Sequence, residues 1–157
     1  MQQIIKCYLP HKCQMEITRE AIQCLPKESG GILMGYWTKP LELVAITHII
    51  GPGPNAEHYE NRFVPDCEWQ EEQIREVYEI TSRRSAYLGD WHSHPNGEKW
   101  LSFKDKNTLR KISKYIPARS PNPLMGVLDG NLRFYIWCLF KTRLLFSIIE
   151  ETQVIFY

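Results

Sequence analysis

Two histidines, a serine and an aspartate fall within fourteen residues of this 157-residue chain: His92 and His94 in Gly-Asp-Trp-His-Ser-His-Pro, then Ser102 and Asp105 in Ser-Phe-Lys-Asp. Imidazole nitrogen and carboxylate oxygen are the donors zinc takes when three side chains hold it and a fourth position is left for water. Binding lowers the pKa of that water to about 7, the first requirement of metal-assisted hydrolysis. A base must then carry the proton. Glu28 is the candidate, because it stands in Lys27-Glu28-Ser29-Gly30-Gly31, where glycines let a backbone approach a metal closely.

These residues need elements to hold them. Side chains alternate along a strand, so if Ala86–Trp91 is a strand that delivers the motif, His92 and His94 project to one face and Ser93 to the other. Pro95 and Asn96-Gly97 favour a turn, after which Leu101, Asp105, Leu109, Ile112 and Ile116 recur at helical spacing on one face. A carboxylate on an apolar face costs several kcal/mol unless it is paired or coordinated. Ser-x-x-Asp at a helix start is also the pattern of a capping box, in which both side chains only satisfy free backbone amides. Capping accounts for Ser102 and Asp105 and leaves both histidines unexplained.

The rest of the chain reads as a frame for that centre. Cys13, Ile17, Ala21 and Cys24 predict a helix over 10–25, started by Pro10 and stopped by Pro26. Residues 27–31 read as a flexible connector, Ile32–Trp37 as a buried strand and Leu41–Ile50 as a second strand. Gly51 to about Arg62 reads as a loop, open to either a substrate-guiding role or a plain surface excursion. Asp66 is expected to cap a helix to about Ser82 with Ile74, Val77, Tyr78 and Thr81 on one side. Strands follow at Leu124–Leu128, Leu132–Phe140 and Leu144–Ile149, with a short fourth at Val154–Tyr157; Asp129-Gly130-Asn131 signals a hairpin between the first two. This order predicts a single α/β domain over 1–157, an α+β mixed sheet with helices packed against it.

Charge and cysteine usage narrow the function classes. Nineteen basic against eighteen acidic residues give a net charge of +1. That balance supplies no reason to expect nucleic acid or an anionic membrane as partner. Five scattered cysteines without two-residue spacing read as reduced thiols, and no signal peptide or membrane span is visible, so the expected compartment is the cytoplasm. A nucleobase deaminase would need a Pro-Cys-x-x-Cys pair, which is absent, and no cysteine has the flanking residues of a thiol protease.

The run His92-x-His94, seven residues, Ser102, two residues, Asp105, with Glu28 upstream in Glu-Ser-Gly-Gly-Ile-Leu-Met-Gly, resembles the JAMM motif of the MPN-plus metalloproteases. The resemblance implies an MPN/JAB-type fold, a curved mixed sheet flanked by helices with a cytidine-deaminase-like architecture. It implies one catalytic Zn2+ on His92, His94 and Asp105, Glu28 as general base and acid, and Ser102 as the hydroxyl that stabilises the oxyanion. Gly-Gly-Ile-Leu-Met-Gly-Tyr-Trp, Gly-Pro-Gly-Pro-Asn-Ala and Gly-Asp-Trp-His-Ser-His-Pro are similar to the small bacterial branch found beside ubiquitin-transfer-like enzymes in CBASS anti-phage operons. That likeness implies a deubiquitinase-like isopeptidase or peptidase acting on a protein with an extended C-terminal tail, a cGAS-like nucleotidyltransferase, with an E1/E2-like conjugating enzyme as a further partner. Two alternatives stay open: processing of a ubiquitin-like sulfur-carrier protein, and a non-catalytic MPN scaffold.

Overall fold

The computed structural model describes residues 4–38, 42–141 and 146–157. Among the described residues, ten strands, three α-helices and one short 3-10 helix follow in order: β1 (Lys6–Leu9), α1 (His11–Cys24), β2 (Gly30–Trp37), β3 (Leu43–Ile50), β4 (Glu57–Tyr59), β5 (Arg62–Val64), α2 (Cys67–Ile80), β6 (Ala86–Ser93), α3 (Phe103–Lys114), the 3-10 helix (Ile116–Ala118), β7 (Leu124–Leu128), β8 (Phe134–Lys141), β9 (Ser147–Glu151) and β10 (Gln153–Phe156). Eight of the strands form one mixed sheet in the order β10-β1-β3-β2-β6-β7-β8-β9, and β4 and β5 form a separate hairpin. β9 and β10 are joined only through Thr152, yet one pairs with β8 and the other with β1, so the edges of the sheet curve towards each other.

Alternation along the central strands sorts side chains between two layers. Leu33 of β2, Leu88 and Trp91 of β6 and Leu124 and Leu128 of β7 pack with Cys13, Ile17 and Ala21 of α1. The intervening Ile32 and Met34 meet Trp69, Ile74 and Val77 of α2, while Met125 and Val127 meet Leu109 of α3. With both faces covered, β2 and β7 are buried almost end to end, the reason they read as continuous apolar runs.

The sequence-based frame holds in most places, and its departures have physical causes. Gly30 and Gly31, expected in a flexible connector, are the first residues of β2, where neighbouring atoms lie too close for any Cβ. The expected loop from Gly51 contains the β4–β5 hairpin, whose turn at Glu60-Asn61 lacks the usual glycine signal. Gly51–Asn55 is tied to α2: Pro52 O accepts the Asp66 amide, and Asp66 Oδ2 accepts from Asn55. Leu101 and Ile116 lie outside α3, and Ile116 is 86% exposed beyond the helix end. Leu132, with φ 61°, belongs to the turn before β8. β1 carries no sequence signal of its own, being a four-residue strand held by parallel pairing to β3 and β10. Two expected strand starts, residues 41 and 144, lie outside the described residues.

All five cysteines are free. Burial pushes the thiol of Cys13 up to about 11 and that of Cys138 up to about 12, so these pack as small apolar groups and are poor nucleophiles. No described helix is long and apolar enough to cross a membrane.

Candidate metal centre

The face on which β6 presents its histidines is set by a bulge. Met34 pairs with Tyr87 and Leu33 with Gly89, leaving Leu88 as an extra residue. Alternation restarts after it. Trp91, fully buried and donating from Nε1 to Ile50 O (3.3 Å), turns to the α1 layer, and Ser93 is buried away from the centre. Asp90, His92 and His94 line the cleft on the other side. His94 stands one residue past the end of β6, but its amide donates to Leu128 O (2.8 Å) and carries the direction of the strand onward. The expected opposition of Ser93 to the two histidines is therefore present.

From His94 the chain makes a seven-residue excursion and returns as α3. Lys99 pins this segment to the far strands: its Nζ pairs with Glu151 (2.6 Å), and its carbonyl accepts from Trp137 Nε1 (3.0 Å). At the start of α3, Ser102 Oγ accepts from the Asp105 amide (3.1 Å) and Asp105 Oδ2 accepts from the Ser102 amide (2.8 Å), a complete capping box. The same Oδ2 lies 3.5 Å from His92 Nε2 and 3.9 Å from His94 Nε2. Capping and clustering with the histidines are thus one arrangement, since the cap aims the carboxylate at them.

The three donor atoms form a triangle suited to one ion. His92 Nε2 and His94 Nε2 are 2.8 Å apart. With the two oxygen distances, these separations bracket the spacing of about 3.3 Å between donors in a tetrahedral zinc site with bonds of about 2.0–2.1 Å. His94 Nδ1 meets Glu98 O at 2.7 Å, and because a carbonyl only accepts, Nδ1 carries the proton and Nε2 keeps its lone pair towards the triangle. Burial lowers the pKa of His94, which favours that neutral, ligating form. Burial by itself would raise the Asp105 carboxyl, but His92 and the Ser102 amide and hydroxyl hold it well below the usual carboxylate range. Neutral imidazole and ionised carboxylate are the protonation states a divalent metal requires. Among the described residues, His92, His94 and Asp105 are the group able to hold a metal ion in this way.

Glu28 and Ser102 open onto the same cleft of about 370 Å³ as the triangle. Burial raises the Glu28 carboxyl, and the neighbouring Lys104 partly offsets it. The Ser102 hydroxyl oxygen is the cap acceptor for the Asp105 amide, and the hydroxyl also bonds the Asp105 carboxylate at the edge of the cleft. All five residues singled out in the sequence therefore meet in one place. Other contributors carried no clear signal. Arg62 and Phe63 come from the hairpin, and Lys104 from the first turn of α3. Asp90, whose carboxyl is raised by burial, accepts from Tyr87 Oη at 2.9 Å. Asp90 and Lys104 sit inside the motif-bearing stretch and could have been suspected there. Phe63 could not, because nothing local brings the hairpin to β2.

Comparison with known proteins bears on this geometry. Residues 10–135 match a family model described as prokaryotic homologs of the JAB domain. A probable metalloprotease from Sinorhizobium fredii is 33% identical over 151 residues, covering 92% of each chain. The solution structure of protein DSY2949 from Desulfitobacterium hafniense matches with a TM-score of 0.64 at 19% identity, covering 96% of this chain and 92% of that one, a likeness of fold.

Proposed function

The chain belongs to the prokaryotic JAB-domain family, and from that premise we propose that it is a zinc-dependent metallopeptidase whose centre is His92, His94 and Asp105. The observation that carries the reading is the convergence of three metal-competent donor atoms with Glu28 and Ser102 in one cleft. Zinc bound there would supply Lewis acidity, polarising a scissile carbonyl and allowing water to lose a proton near neutral pH. Glu28 takes that proton on its carboxylate as the water oxygen bonds to the carbonyl carbon. It then returns the proton to the leaving nitrogen as the carbon–nitrogen bond breaks. A carboxyl raised by burial suits both transfers. The Ser102 hydroxyl turns its proton from the Asp105 carboxylate to the developing oxyanion, a contribution typically worth ~10²- to 10³-fold in rate.

The proposed substrate is a protein with an extended C-terminal tail whose terminal amide is hydrolysed, as a deubiquitinase-like isopeptidase would do. The cleft is lined by Arg62 and Phe63 of β5, and this supports an extended chain, because β5 pairs only with β4 among the described residues. The sequence phrases shared with the CBASS branch support a cGAS-like nucleotidyltransferase, conjugated by an E1/E2-like enzyme, as that protein. The donor set argues against a scaffold, which has no need of three convergent ligands and a proton carrier.

The test is cleavage of a reporter fused to the tail of a cGAS-like nucleotidyltransferase, together with zinc analysis of the purified protein. Stoichiometric zinc, cleavage lost on chelation, and a Glu28→Gln variant that keeps zinc without turnover are expected. Trimming of a sulfur-carrier precursor in place of the tail fusion would move the substrate assignment. Substoichiometric zinc with function indifferent to chelation would refute the enzyme.

A further inference from the structure

Glu28 precedes β2, so the ladder of the main sheet does not determine its conformation. Its backbone is held instead by two other parts of the chain. The Glu28 amide donates to Tyr59 O (2.8 Å), and the Glu28 carbonyl accepts from His58 Nδ1 (2.8 Å), both in β4. The next amide, that of Ser29, donates to Ser93 Oγ (2.9 Å), between the two site histidines. The peptide plane joining residues 28 and 29 is thus bridged, its carbonyl end to the hairpin through His58 and its amide end to β6 through Ser93.

We propose that His58 is a positioning residue for Glu28, its Nδ1–H fixing the 28–29 peptide so that the carboxylate faces the cleft lined by His92, His94 and Asp105. The inference rests on the reading of Glu28 as the proton carrier. A carbonyl only accepts, so the bond to Glu28 sets the tautomer, with the proton on Nδ1 and a lone pair on Nε2. That lone pair faces Cys24 Sγ at 3.9 Å, a thiol at the end of α1 that shares its one proton with Glu20 Oε1 at 3.7 Å. The ring also stacks on Phe63, with centroids 6.4 Å apart and planes 15° from parallel, and Phe63 packs over Gly30. The imidazole is therefore held at Nδ1 and on one face, with the Cys24 thiol beside its other nitrogen. Without it the Glu28 carbonyl loses its partner and the 28–29 peptide is left to the Ser93 bond and the bonds of its two neighbours, and a displacement of about 1 Å in a reacting group typically costs on the order of 10²-fold in rate.

The experiment compares His58→Ala, His58→Asn and His58→Gln with Glu28→Gln. The asparagine amide nitrogen occupies nearly the position of Nδ1, one bond beyond Cγ, whereas the glutamine nitrogen lies a bond further out. In the absence of substrate, hydrogen exchange over residues 27–32 is expected to quicken in the alanine and glutamine variants and to stay near wild type in the asparagine variant. With the tail-fusion reporter as probe, the first two should lose roughly 10- to 100-fold in kcat with KM and zinc content unchanged, and His58→Asn should retain most of its turnover. An asparagine variant as impaired as alanine would overturn the inference, since donation from that position would then not be what matters. So would quickened exchange without loss of kcat, or loss of kcat without quickened exchange. If Glu28→Gln is inactive while every His58 variant is normal, the inference fails and the proton carrier stands. If Glu28→Gln turns over normally, the proton-carrier reading itself fails.

Discussion

Gly30→Ala tests whether the hairpin and the motif strand are locked together at the first residue of β2. Gly30 is buried and pairs with His92 across the ladder. A Cβ added there would lie 2.4 Å from Phe63 Cε1 and Cζ and 2.5 Å from Trp91 O. The Phe63 ring can move only by giving up its stacking on His58, and the Trp91 carbonyl only by shifting the strand that carries His92. Overpacking of a filled site typically costs 1–3 kcal/mol, and a backbone atom among the obstacles places this change towards the upper end. At about 2–4 °C per kcal/mol for a chain of this size, Tm of the metal-free protein should fall by roughly 4–12 °C. Gly51→Ala serves as control, because its Cβ would meet nothing nearer than Glu20 Oε2 at 3.9 Å, an ordinary contact. Thermal unfolding followed by circular dichroism gives the stability, and competition with a chromogenic chelator gives zinc affinity, which should weaken in Gly30→Ala alone. A Gly30→Ala protein that melts with the wild type and binds zinc equally well would refute the close approach.

Ser93→Ala leaves the buried Ser29 amide without its partner and should cost about 1–3 kcal/mol, read as a lower urea midpoint with unchanged slope. Glu28→Gln should stabilise the metal-free protein at pH 7 and leave it unchanged below about pH 4. With its carboxyl raised by burial, the folded wild type binds that proton more tightly than the unfolded chain, and stability falls as pH rises through the folded pKa; denaturant titrations at both pH values read this directly. A wild type at least as stable as Glu28→Gln at pH 7 would contradict that sign. Ser102→Ala removes both the cap acceptor and the proposed oxyanion donor, so it should lose about 1 kcal/mol in stability and ~10²- to 10³-fold in kcat, measured by thermal melts and by reporter cleavage.

Much of the centre was legible because its geometry is local. Period-two alternation puts His92 and His94 on one side whatever surrounds them, and Ser102 with Asp105 writes a helix start whose cap turns the carboxylate inward. The sequence left capping and ligation as rival accounts of Asp105, and one oxygen serves both the Ser102 amide and the two imidazoles. The helices were legible from their apolar spacing and caps, and β7–β8 from the Asp129 turn, where Oδ1 accepts from the amides of Asn131 and Arg133.

What the sequence could not decide are the features whose energy comes from distant partners. The three-residue strands of the β4–β5 hairpin have little stability alone and exist by packing against Glu28, Gly30 and Cys24. β1 needs β3, more than thirty residues further on, and β10, nearly 150 residues away. The bulge at Leu88 appears only when β6 is paired with β2, and it determines which layer receives Trp91 and which receives the histidines. The amino-acid sequence by itself determined the donor types, their mutual spacing and the side of β6 they share, because bond geometry and helix and strand periodicity act over a few residues. Only the tertiary structure decided that Glu28 meets them, because Ser29 and Ser93, 64 residues apart, are joined by a buried hydrogen bond that no local rule anticipates.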